Sequence, residues 1–204
     1  MQDNMLARRA MIDSQLRPQG VTDAGVLGAM AVLAREDYVP EAARGFAYFD
    51  RPLKLGNGRS MMPPAALGRL LGELAPRAGE RALVVGAATG YSAAVLGLIG
   101  LDLTAMEDDV ALAAQARAAG IHIAAPAEND RFDLILIDGA VEYIPDALVA
   151  RLVEGGRLGT ALLDRGVSRL VIGRAVGGHL GVSTIVDADV APLPGFERRR
   201  AFTF

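Results

Sequence analysis

Between Ala82 and Ala94 the chain reads ALVVGAATGYSAA: a β-branched apolar run, a glycine-punctuated turn, and the start of a helical pattern. Open α/β sheets bind their ligands where a strand feeds such a turn, because backbone N–H groups there meet a carboxylate or phosphate with no side chain in the way. Two cofactor chemistries compete for it. A dinucleotide turn, G-x-G-x-x-G, needs glycines at 86, 88 and 91, and the chain has Gly86, Ala88 and Tyr91. A nucleoside-methionine turn of the form G-x-G-x-G is matched by Gly86 and Gly90, with Ala88 in the middle position. The second form fits better.

Glu107 strengthens that reading. It follows the apolar run Leu103 to Met106, 21 residues past Gly86, where the next strand of a βαβ unit presents a carboxylate to a ribose diol. Two hydroxyl donors against one ionised acceptor make charge-assisted hydrogen bonds. Asp108 and Asp109 fit the plainer role of acids at the positive end of the next helix. Asp138 ends the run Phe132 to Ile137 and reaches the same cleft edge by topology, although Asp before Gly is also a turn signal. The remaining polar candidate is Ser60, in the loop segment KLGNGRSMMPP. The chain has no Cys and only His122 and His179, so thiolate chemistry, disulfides and a His-rich metal site are excluded and no metal is expected.

The elements that must position these groups alternate. Apolar strands are expected at Arg81–Val85, Leu103–Met106 and Phe132–Ile137, with a short one near Ile121; helices at Tyr91–Ile99 and Asp109–Ala119 separate them. This is the pattern of a parallel, doubly wound, Rossmann-like sheet. Ahead of it lie a helical segment around Met5 to Leu16, a second helix capped by Thr22, a loop or short extended piece over Lys54–Pro64, and an amphipathic helix over Ala65–Leu74. Behind it, Leu158–Leu163, Arg169–Ile172, Val182–Val186 and Ala201–Phe204 read as strands without crossover helices, so an antiparallel end to the sheet is expected. The run Glu197–Arg200 reads as a solvated turn.

With 204 residues, 51% hydrophobic and 22% charged, one domain over 1–204 is expected, divided into a helical and loop segment, 1–63, and an α/β core, 64–204. A formal charge of −3 gives no electrostatic reason for a nucleic-acid or anionic-membrane partner. The 20 uncharged residues from Ala82 to Leu101 are long enough to span a bilayer, but four glycines and the strand pattern argue against it. The start MQDNMLARRA lacks an apolar stretch, and a cytoplasmic location is expected.

A family resemblance adds to this. The stretches RRAMIDSQLRPQGVTDAGVLGAM, REDYVPEAARGFAYFDRPLKLGNG, RALVVGAATGY and FDLILIDGAVEYIPDALVARLVEGGRLG, read in order from about Arg8 to Gly159, resemble protein-L-isoaspartate O-methyltransferases. The resemblance implies a class I methyltransferase fold and S-adenosylmethionine as cofactor. The implied reaction is methyl transfer to the α-carboxylate of L-isoaspartyl residues in damaged proteins, a repair activity. Gly86, Ala88, Gly90, Glu107 by its spacing and Asp138 by topology are the expected cofactor residues, and the resemblance matches Tyr48 and Asp50 beside the substrate loop.

The chain also departs from the family pattern. Met62 stands where the family has a serine hydroxyl near the transferred methyl, and Ser60, roughly 6 to 7 Å away along an extended segment, is the candidate substitute. Val84 replaces an acid, Ala88 a glycine, and the stretch His122–Asp133 lacks the family's Gly-Asp-Gly motif. Losses of about 1 to 2 kcal/mol each predict cofactor binding weaker by two to four powers of ten. The alternative expectation is a homologue that has lost catalysis and kept the fold as a binding protein.

Overall fold

The computed structural model describes residues 2–198. Its central sheet has six strands in the order β4-β3-β5-β6-β7-β8. These are β3 (Arg81–Val85), β4 (Asp102–Met106), β5 (Phe132–Val141), β6 (Leu152–Asp164), β7 (Val167–Val176) and β8 (His179–Asp187). A separate two-stranded hairpin, β1 (Leu53–Gly56) with β2 (Arg59–Met61), precedes them. Strands β4, β3, β5 and β6 run parallel, and β7 and β8 close the sheet antiparallel. The expected mixed α/β architecture is therefore the observed one.

Burial explains the register. Strand β3 is buried from Ala82 to Val85 on both faces, as a central parallel strand must be. Helix α4 (Tyr91–Ile99) packs against β4 and is closed by Gly100, whose N–H reaches back to the carbonyls of Gly97 and Leu96. Helix α3 (Pro64–Leu74) packs on β6 and β7. Its last turn is held by Arg157, which donates to the Leu74 carbonyl at 2.8 Å and to both oxygens of Glu80 at 3.0 and 2.7 Å. One buried cluster runs from Met11 and Leu16 through Leu67 and Leu71 to Val84 and Leu136.

Several local expectations need correction. The first helix is α1 (Gln2–Met11) followed by a wider turn over Ile12–Leu16. Helix α2 (Ala24–Val32) is capped by Asp23, whose carboxylate accepts from the Val26 N–H at 2.8 Å, and not by Thr22, because Asp23 is the residue that directly precedes the first turn. Of the two forms expected for the Lys54–Pro64 segment, the extended one is observed, as the β1–β2 hairpin over Leu53–Met61. Near Ile121 only an isolated pairing of Ile123 with Ala105 forms, since the chain there is too irregular for a ladder. Asp109 caps α5 (Val110–Ala118) by accepting from Ala111 and Leu112. The candidate strand Ala201–Phe204 and part of the Glu197–Arg200 run lie outside the described residues. Among the described residues, no helix is long and apolar enough to cross a membrane.

Candidate active site

Strand order reverses at β3, with β4 on one side and β5 on the other. The crevice beyond the carboxyl ends of these strands is the binding position of open α/β sheets. Gly86 follows β3, Glu107 follows β4, and Asp138 lies near the end of β5. Three elements thus deliver the sequence-derived candidates to one rim.

The turn itself is built from left-handed backbone. Gly86 has φ +73°, Ala88 +49° and Gly90 +95°, and the Gly86 and Ala87 N–H groups hook onto the Met106 carbonyl at 3.0 and 2.9 Å. A side chain at Gly90 would meet Ile121 at 2.7 Å, so close packing as well as conformation requires glycine there. Ala88 adopts the left-handed form at a cost that glycine would avoid, and its methyl joins the main buried cluster.

Glu107 is the centre of the rim. Its side chain is fully enclosed, its Oε2 accepts from the Ala88 N–H at 2.6 Å, and its Oε1 accepts from the Asp109 N–H at 2.9 Å. Sequence reasoning missed its third partner. Arg59, at the start of β2, donates from Nη1 to Glu107 Oε1 at 2.6 Å and from Nη2 to the Gly86 carbonyl at 2.8 Å. Nearby, Asn57 at the hairpin tip donates to Asp109 Oδ2 at 2.6 Å.

Asp138 accepts from the Ser92 hydroxyl on α4, and its other oxygen is buried without a partner. Burial pushes its carboxyl above the usual range, opposed by the Ser92 hydrogen bond and by the charges of Arg59 and Arg35. Arg35 is fully buried, donates to the carbonyls of Ala47 and Met62, and stacks 4.8 Å over the Tyr91 ring. It ties the N-terminal segment to the first residue of α4.

Ser60 is not brought to this rim. In β2 the residues on either side of it, Arg59 and Met61, are buried, and Ser60 alternates to the other face, opposite Lys54. Met62 is 2% exposed and belongs to the main core cluster. Tyr48 and Asp50 both have structural partners: the Tyr48 hydroxyl donates to Glu36 and accepts from Arg8, and Asp50 Oδ1 accepts from the Ala65 N–H at 3.0 Å at the start of α3. His122 and His179 are exposed.

The residue set suits a nucleoside bearing a ribose diol: a left-handed glycine turn with a carboxylate one strand away. Arg59 and Leu193 stand over it. A Cβ placed on Gly86 would come within 2.9 Å of Leu193 and 3.1 Å of Arg59. The space left beside them, bounded by Arg59, Gly86, Met106, Asp108, Leu148 and Phe196 among others, is about 190 Å³. Ligand clefts run to roughly 300 Å³ and above, so the donor set fits the group while Arg59 and Leu193 leave less room than a whole nucleoside needs.

Comparison with known proteins agrees with the geometry. Residues 7–119 match the family model described as protein-L-isoaspartate(D-aspartate) O-methyltransferase. A protein-L-isoaspartate O-methyltransferase of Methylorubrum extorquens is 41% identical over 169 residues, covering 76% of this chain and 74% of the relative. One of Koribacter versatilis is 34% identical over 205 residues, covering 93% and 91%. A solved protein-L-isoaspartate O-methyltransferase superimposes with TM-score 0.79 at 18% identity, over 92% of this chain; the chain spans 66% of its length. A Plasmodium falciparum structure described as a complex with S-adenosyl-L-homocysteine superimposes with TM-score 0.74 at 19% identity, over 91% of this chain and 97% of that one.

A parallel sheet with a nucleoside-type turn at its switch point and an antiparallel end is the class I methyltransferase architecture. Within that class, the chain belongs to the protein-L-isoaspartate O-methyltransferase family.

Proposed function

We propose that this protein methylates the α-carboxylate of L-isoaspartyl residues in damaged proteins, using S-adenosylmethionine. The observation that carries the reading is the convergence of Gly86, Glu107 and Asp138 at the switch point of a sheet belonging to this family. In this reading Glu107 accepts from the ribose hydroxyls, and the backbone from Gly86 to Gly90 cradles the amino-acid part. The cofactor supplies a methyl group already made electrophilic by its sulfonium.

An acceptor carboxylate is ionised at neutral pH, so the chain needs no strong base. Its contribution is to hold the acceptor in line, close and out of water. Leu193 and Phe196 supply apolar cover over Gly86 and Met106. A protein or peptide partner carrying isoaspartate follows from the reading, without nucleic acid or membrane. A cytoplasmic setting suits a chain without cysteine.

Calorimetry with S-adenosylhomocysteine, followed by transfer of labelled methyl to an isoaspartyl peptide against its aspartyl control, tests the assignment. Heat of binding and label in the isoaspartyl peptide alone are expected. Absence of heat up to millimolar ligand would leave a fold retained for binding another partner.

A further inference from the structure

We infer that Arg59 exchanges partners during the reaction cycle: it occupies Glu107 while the cofactor site is empty and, once released, pairs with the carboxylate of the acceptor. The inference rests on the methyl-transfer reading and adds to it a residue that positions the acceptor and couples the two binding events.

The first half follows from hydrogen-bond capacity. The two oxygens of Glu107 offer about four acceptor positions, and the donors Ala88 N, Asp109 N and Arg59 Nη1 already take three of them, which leaves too few for the two hydroxyls of a ribose diol. The two backbone donors belong to the turn and to the residues after β4, and they stay. The side chain of Arg59 is the movable one. It projects from a short hairpin fastened at its tip by one exposed contact, Asn57 to Asp109. The Glu107 side chain is fully enclosed and that of Arg59 is 9% exposed, so a ribose diol gains Glu107 by displacing its one side-chain partner among the described residues, Arg59. Arg59 and the nucleoside therefore compete for one carboxylate.

The second half follows from charge. An acceptor carboxylate entering this rim meets Glu107 and Asp138, both acids. Among the described residues, two cations come near. Arg35 is fully buried against the Tyr91 ring, with Nε and Nη2 committed to the carbonyls of Ala47 and Met62, and its unpartnered Nη1 is enclosed with the rest of the side chain. Arg59 displaced from Glu107 keeps its charge and has a planar fork that matches a carboxylate in bidentate geometry. Release by one ligand creates the binding group for the other, and reciprocity requires each to tighten the other.

The test uses calorimetry on the full chain with S-adenosylhomocysteine and an isoaspartyl peptide, alone and together, for the wild type, Arg59→Gln and Arg59→Lys. In the wild type, saturating S-adenosylhomocysteine should tighten the peptide about tenfold. Arg59→Gln should bind S-adenosylhomocysteine at least tenfold more tightly than the wild type and show no coupling to the peptide. Arg59→Lys, which keeps the charge and loses the fork, should tighten S-adenosylhomocysteine and retain part of the coupling, and it provides the readout should Arg59→Gln not fold. A merely structural arginine would give the opposite sign, weaker ligand binding in both variants, and that result overturns the inference. Coupling unchanged in Arg59→Gln also overturns it. Failure of all three proteins to bind S-adenosylhomocysteine overturns the methyl-transfer reading itself, and the exchange falls with it.

Discussion

The side chain of Leu193 rests against Gly86: a Cβ added to that glycine would lie 2.9 Å from Leu193 Cδ1. Leu193 is held there by its own N–H, which donates to the Ala140 carbonyl at 2.7 Å, while Ala140 donates to the Ala191 carbonyl at 2.9 Å. The segment after β8 is thereby laid across the end of β5 and over the cofactor turn. Arg59 closes the same turn, its Nη2 lying 3.1 Å from that added Cβ.

Gly86→Ala should accordingly be costly. It forces a side chain into left-handed backbone and against both Leu193 and Arg59, for a loss of about 2 to 4 kcal/mol. Leu193→Ala, which removes a side chain 4% exposed, should cost about 2 to 4 kcal/mol of stability and yet improve access to the turn. Urea unfolding gives the first quantity and calorimetry with S-adenosylhomocysteine the second. A Gly86→Ala protein as stable as the wild type would mean that the turn does not hold the described conformation.

For Ala88→Gly, three effects of similar size oppose one another. Relief of left-handed strain gains about 1 to 2 kcal/mol, the freer unfolded chain loses about 0.4 to 1 kcal/mol, and loss of one buried methyl costs about 0.8 kcal/mol. A change in unfolding free energy below about 1 kcal/mol is expected from that balance. Because the methyl joins the core cluster, affinity for S-adenosylhomocysteine should move less than threefold. A tenfold gain would place the methyl in the ligand's path instead.

Much of this site was legible in the sequence. The ends of β3 and α4 coincide with the apolar run Arg81–Val85 and the stretch Tyr91–Ile99, because strand, glycine turn and helix are local events with local signals. Glu107 was legible through its spacing from Gly86. Arg59 was not, since a single arginine in a Gly-punctuated segment reads as a solvated charge, and its partner lies 48 residues away. Leu193 was hidden for the same reason: its contacts with Gly86 and Gly139 cross most of the α/β core. For Ser60 the hairpin register, set by pairing with Lys54, decides which face it occupies, and the residue types of that segment do not specify the register.

Tyr48 is expected to matter for stability and its pH dependence. Its hydroxyl bridges Glu36 and Arg8, whose side chains are only 10% and 14% exposed, so Tyr48→Phe should cost about 1 to 3 kcal/mol at pH 7. Burial and the Glu36 hydrogen bond hold the Tyr48 hydroxyl itself at about 12, so it stays protonated. Burial alone would raise the Glu36 carboxyl, but the hydrogen bond from Tyr48, a backbone bond and the charge of Arg8 outweigh it and hold the group below its usual value. A lowered carboxylate contributes stability above its unfolded pKa and loses it as pH falls through the folded one. The deficit of Tyr48→Phe should therefore be full near neutrality and shrink below about pH 4. Thermal melts of both proteins from pH 3 to 8 check this, and a deficit independent of pH would remove Glu36 from the account.

Met62→Ser sets chemistry against packing. The family resemblance expects a hydroxyl near the transferred methyl at this position, and a donor aimed at the reacting oxygens is worth about 2 to 4 kcal/mol, or two to three powers of ten in rate. Methionine cannot donate, so the wild type should turn over an isoaspartyl peptide slowly. The side chain, however, is 2% exposed in the main cluster, and truncating a buried methionine costs about 2 to 5 kcal/mol. For a chain of this size each kcal/mol lowers the melting temperature by about 2 to 4 °C, so Met62→Ser should melt roughly 5 to 20 °C lower. The backbone bond from Arg35 to the residue's carbonyl does not depend on the side chain and should survive. Below the melting range, labelled methyl transfer per folded molecule is expected to rise at least tenfold over the wild type. A melting loss without any gain in turnover would show that the missing hydroxyl does not limit the reaction, leaving closure of the turn by Arg59 and Leu193 as the restraint to relieve first.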